Sequence, residues 1–86
     1  MKLKNAFITH DAGTESLLVP TGEAEFSGLV KGNRTLGIIL ELLKKDTTEE
    51  EIVTAMTERF DAPKEIIARD VRKAISELRK IGAIDE

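Results

Sequence analysis

The sequence has no cysteine, no tyrosine and no tryptophan. Without cysteine there are no disulfides, zinc–thiolate sites or iron–sulfur clusters. With only three phenylalanines as aromatics, the usual stacking platform for single-stranded nucleic acid is missing. No apolar run approaches the ~18 residues that a membrane span requires. The N-terminal stretch MKLKNAFITHDAG has lysines but no long apolar region, so it does not read as a signal peptide. A basic excess is also missing: the net charge is −3, whereas phosphate contacts supply most of the affinity of sequence-independent nucleic-acid binders. These absences point to a soluble, cytoplasmic protein with no membrane partner and no nucleic-acid partner. The 86 residues, 41% hydrophobic, suffice for one domain with a thin core.

Catalytic patterns are missing too. The single histidine, His10, falls in a turn-forming cluster and reads as a solvated side chain. No Ser–His–acid set, Gly-rich phosphate loop or metal-ligand spacing is present. Glu49, Glu50 and Glu51 lack ligand partners at metal-site spacing. The sequence therefore predicts no enzyme, no cofactor and no metal, which leaves a binding module.

What is present organises around Pro63–Gly82. Ile67, Val71, Ala74, Ile75, Leu78 and Ile81 fall at offsets of three and four, one stripe of an α-helix. Pro63 suits the first turn and Gly82 the position just past the end. The face away from the stripe carries Arg69, Arg72, Lys73 and Lys80. Two shorter helices are expected before it. In the first, at about 34–45, Leu36, Ile39, Leu40 and Leu43 form one face, with Ile38 and Leu42 beside it. Asn33 or Thr35 is the cap, and Gly37 weakens the helix by up to about 1 kcal/mol relative to Ala. In the second, at about 48–60, Thr48 and Glu51 match a capping box, and the acids of the segment stabilise the helix start. Ile52, Val53, Met56 and Phe60 supply its buried stripe.

Upstream, residues 3–9, 16–19 and 24–30 read as three short strands. The turn clusters at His10–Thr14 and Pro20–Gly22 separate them, and Gly28 lies inside the third. The predicted architecture is α+β, winged helix-turn-helix-like, with a three-stranded antiparallel β-wing over about 3–31 followed by three helices. The whole chain, 1–86, is expected to be one domain. Ala83 and Ile84 are expected to pack back against the core.

Several strings, in order, carry a family resemblance. They are Val19-Pro20-Thr21-Gly22, Phe26-Ser27-Gly28-Leu29-Val30, and Asn33-Arg34-Thr35 leading into Ile39-Leu40-Glu41-Leu42-Leu43. Thr48-Glu49-Glu50-Glu51-Ile52-Val53, Phe60, Asp70-Val71, and Leu78 with Gly82-Ala83-Ile84 follow. From about Asn5 to Ile84 the chain resembles the PqqD-like family, which includes the peptide chaperone of pyrroloquinoline quinone biosynthesis. Two positions depart from the family pattern: Gly32, where an apolar residue is frequent, and Leu40, where an aromatic is common. The resemblance implies a recognition domain for ribosomally made, post-translationally modified peptides. Such a domain binds the leader of a precursor peptide as a strand added to the wing, against the third helix. It then presents the peptide to a modifying enzyme, often a radical S-adenosylmethionine protein. Because the family is wider than one pathway, another modified peptide is expected rather than pyrroloquinoline quinone itself.

On that reading the peptide-binding residues are Phe26, Ser27, Gly28, Leu29, Val30, Lys31, Arg69, Arg72 and Lys73. Phe26, Leu29 and Val30 also have a claim as core residues, because alternate strand residues face the helices. The basic residues also have a plain reading, as the solvated face of a long helix. The alternative function is a winged-helix DNA-binding regulator using the third helix. The overall acidity, Asp70 and Glu77 within that helix, and the lack of a basic wing weigh against it. A homodimer through the same β-edge, which would occlude the groove, is a third alternative.

Overall fold

The computed structural model describes residues 1–11, 15–22, 28 and 30–86. The chain runs β1 (Lys2–Leu3), β2 (Phe7–Asp11), β3 (Glu15–Pro20), β4 (Val30–Asn33), α1 (Arg34–Leu42), α2 (Glu49–Arg59), α3 (Lys64–Lys80) and β5 (Ile84–Asp85). Strands β2, β3 and β4 form an antiparallel sheet in that order, with Thr9 opposite Leu18 and Leu18 opposite Val30. This is the α+β wing-and-three-helix arrangement that the sequence predicts.

The first expected strand, 3–9, is two strands. Leu3 pairs with Ile84 in a two-stranded ladder, β1 with β5. The chain then turns at Lys4, whose carbonyl accepts from the Phe7 N–H at 3.1 Å. Phe7–Asp11 follows as β2, so His10 and Asp11 belong to a strand and not to a turn. The Leu3 N–H donates to the Leu43 carbonyl at 2.8 Å, and the Lys4 N–H to Ala83 at 2.8 Å. These long-range bonds hold the first segment against the end of α1 and the last segment of the chain.

The helices begin and end for local reasons. Asn33 Oδ1 accepts from the Leu36 N–H at 3.0 Å and caps α1. That helix closes at Leu42, three residues short of the expected end. Thr48 Oγ1 accepts from the Glu51 N–H at 3.1 Å at the start of α2. Only half of the capping box forms, because the Glu51 carboxylate takes the Thr47 hydroxyl at 3.3 Å. After α3, Gly82 has φ +73. Its N–H donates to Arg79 at 3.0 Å, and the Ala83 N–H donates to Leu78 at 2.9 Å. That pair of bonds is a Schellman termination, which favours glycine at the left-handed position.

One core joins the layers: Leu18 from the sheet, Ile39, Leu40 and Leu43 from α1, Ile52 and Met56 from α2, and Val71, Ile75 and Leu78 from α3. Ala83 and Ile84 are buried against it. Gly37, which weakens α1 in isolation, is there because the helix comes close to the sheet. A Cβ at Gly37 would collide with the side chain of Ser16 on β3.

Candidate functional site: an open strand edge beside a groove

β4 is the last strand of its sheet. Among the described residues no strand pairs with its outer side, and an unpaired edge of this kind can accept another chain. Across from that edge runs α3, whose main partners are α2 and β5 rather than β4. The space between is a groove of about 540 Å³, within the ~300–1,000 Å³ range of ligand sites.

The floor of the groove is apolar. Leu36 and Ile39 of α1 and Ala74 and Leu78 of α3 line it, with Ile81 at one end and Val30 on the strand side. Leu36 and Ala74 are only partly buried and carry the apolar surface of their helices past the core, while Ile39 and Leu78 are core residues whose edges reach the groove. Charge sits on the rim and alternates. Lys31 and Lys73 are opposed by Asp70 and Glu77. Glu77 pairs with Lys80 at 3.4 Å. Lys31, Asp70 and Lys73 make no ion pair among the described residues. Among those residues no group of His, Asp or Glu is arranged to hold a metal ion.

The sequence-predicted residues divide. Val30, Lys31 and Lys73 line the groove; Arg69 and Arg72 do not. At about 100° per helical residue, Arg72 lies about 170° around α3 from the mean direction of Asp70, Ala74, Glu77 and Ile81. Arg69 lies about 110° away and Lys73 about 70°. Gly28 is not a strand residue, since β4 begins at Val30. Its φ of 135 is a conformation that favours glycine over other residues. Phe26, Ser27 and Leu29 lie outside the described residues, as does most of the expected third strand.

Sequence reasoning missed Thr35, Leu36 and Ile39 as a wall of the groove, and Asp70 and Glu77 as its rim. The apolar periodicity marked Leu36 and Ile39, but only the placement of β4 beside α1 distinguishes a groove wall from core. Gly32 has a structural counterpart in this wall. The Leu36 side chain occupies the space that a Cβ at Gly32 would need, so helix α1 supplies apolar surface where the strand itself has none.

The chain is similar in structure to TbiB1, solved in complex with the TbiA(beta) leader peptide. The TM-score is 0.76 over 99% of this chain and 100% of that one. At 21% sequence identity the likeness concerns the fold. No curated protein matches the chain. Residues 17–84 match the family described as Coenzyme PQQ synthesis protein D. That match takes in most of β3, all of β4 and the three helices, and every described residue that lines the groove, and the chain belongs to the PqqD family.

Proposed function

We propose that this chain is a non-catalytic peptide-binding module. It captures the leader segment of a ribosomal precursor peptide as a strand added along β4 and presents it to a modifying enzyme. The observation that carries this reading is the edge of β4, unpaired among the described residues, beside an apolar-floored groove on α3. A bare strand edge supplies directional N–H and C=O partners, and the groove supplies pockets for alternate side chains of the added strand. β4 has four residues, so pairing would engage about four leader residues over roughly 13 Å. The structural likeness to a protein solved with its leader peptide supports the same assignment. A radical S-adenosylmethionine protein is the modifying partner that the family resemblance implies.

The rim refines which leader fits. Two lysines face two acids, so charge selects weakly, and the apolar floor carries selection. A leader with apolar residues at alternate positions is expected to bind in preference to a merely acidic one.

Amide shift mapping with the cognate leader tests the placement. Val30–Asn33 and the groove side of α3 should move together. Shifts confined to α2 would refute it, and a dimer that dissociates on adding leader would identify a second copy as the competitor for the edge. In a gel-shift assay at physiological salt, duplex DNA should bind more weakly than the ~10⁻⁴–10⁻⁶ M of non-specific binders.

A further inference from the structure

On the other side of α1 from the peptide groove lies a second concavity of about 670 Å³. Its lining comes from separate elements: His10 on β2, Ser16 on β3, Arg34 and Gly37 on α1, and Arg59 at the end of α2. We infer that this cleft is a second binding site, one that takes the carboxylate side chains of an acidic peptide segment on a protein partner.

Three observations lead there. First, the guanidinium groups of Arg34 and Arg59 make no ion pair or hydrogen bond among the described residues, although both line the same cleft. A guanidinium matches a carboxylate in a planar, two-bond geometry. Second, Arg34 stands where helix stability disfavours it. It is the first residue of α1, whose first turn has no acid to offset it, and a cation there opposes the positive end of the helix dipole. Arg59, in the last turn of α2, is placed as the dipole favours. Third, Ser16 is 6% exposed, yet its hydroxyl makes no hydrogen bond among the described residues. No sealed side-chain polar atom there lacks a partner, so the hydroxyl must reach solvent, and the cleft is the cavity that Ser16 lines. Packed against Gly37 of α1, the hydroxyl keeps a narrow opening to the cleft, and a bound oxygen there would give it the partner it lacks.

Charge narrows the ligand. Lys44 also lines the cleft, but so do Asp11 and Glu41, and Lys44 is paired with Glu41 at 3.0 Å. Three permanent cations against two acids attract a singly charged carboxylate and discriminate against a polyphosphate or nucleic acid. Because α1 separates the cleft from the groove, both can be occupied at once. The assignment does not depend on what the groove binds.

The test uses the whole chain, ¹⁵N-labelled, titrated with an acetylated and amidated (Glu-Gly)₃ peptide. The (Gln-Gly)₃ analogue and inorganic phosphate serve as comparisons. Saturable shifts at Thr9–Asp11, Ser16 and Gly37 are expected with the glutamate peptide, and the Ala74 and Ile81 amides of the groove should stay still. Arg34→Gln with Arg59→Gln should weaken that binding at least tenfold, and Ser16→Ala should weaken it severalfold. Unchanged far-ultraviolet circular dichroism would show that the variants remain folded. If Arg34→Gln with Arg59→Gln does not fold, Ser16→Ala and the peptide comparison decide. No shifts, equal shifts with the glutamine peptide, or tighter binding of phosphate than of the glutamate peptide would each overturn the assignment.

Discussion

The two flanks of α3 use the same helix in opposite ways. On one, Ile67, Val71 and Ile75 are buried, and α2 packs against the helix; Leu78 lies at the seam between the two. On the other, Asp70, Lys73, Ala74 and Glu77 look across an open groove toward a strand that does not reach them. The packed flank explains why the chain folds. Among the described residues the open flank leaves a strand edge and apolar surface without a partner, which stability alone would not retain. Substitutions on the first flank should therefore act through folding, and those on the second through binding.

The largest effect is expected on the packed flank. Ile75 is wholly buried, so Ile75→Ala should cost about 2–5 kcal/mol. That is a large share of the ~5–15 kcal/mol that holds a domain together. Urea unfolding should show the midpoint falling with the slope unchanged. A loss below about 1 kcal/mol would mean that the flanks are not as different as their burial.

Next comes the open flank. Ala74 is half-buried on the groove floor, and Ala74→Trp would fill the space that an added strand's side chains need. Leader affinity should fall at least about tenfold, or ~1.4 kcal/mol. Stability should change by less than about 1 kcal/mol, because the side chain grows into open space. Fluorescence anisotropy with labelled leader, beside a urea titration, separates the two. Retained binding would move the peptide out of the groove.

The packed flank was legible in the sequence and the open flank was not. The i, i+3, i+4 spacing of Ile67, Val71, Ile75 and Leu78 follows from helix geometry alone, and Asn33, Thr48 and Gly82 marked helix ends through local hydrogen bonding. The β1–β5 ladder was not legible. Leu3 and Ile84 are far apart in the chain, and two-residue strands leave no periodicity. The groove was half legible. Basic residues of α3 stood out by charge, but which of them face β4 depends on how α3 is rotated against the sheet. Local spacing gives no direct view of that rotation.

The smallest effect asks which side of α3 matters for charge. Lys73 is on the groove rim, whereas Arg72 points nearly the opposite way; both are exposed. Neither substitution to Ala should change stability by more than about 0.5 kcal/mol. Lys73→Ala should weaken leader binding by about 0.5 kcal/mol at low salt, the scale of an exposed ion pair. Arg72→Ala should leave it unchanged. The Lys73 effect should shrink at physiological salt, where exposed charges are screened beyond ~8 Å. Even at low salt it stays small, because Asp70 and Glu77 share the rim and already oppose the attraction of Lys31 and Lys73 for an acidic leader. Titrating both variants at two salt concentrations gives the comparison. If Arg72→Ala weakened binding as much as Lys73→Ala, the leader would have to reach around the helix, and the groove would be only part of its site.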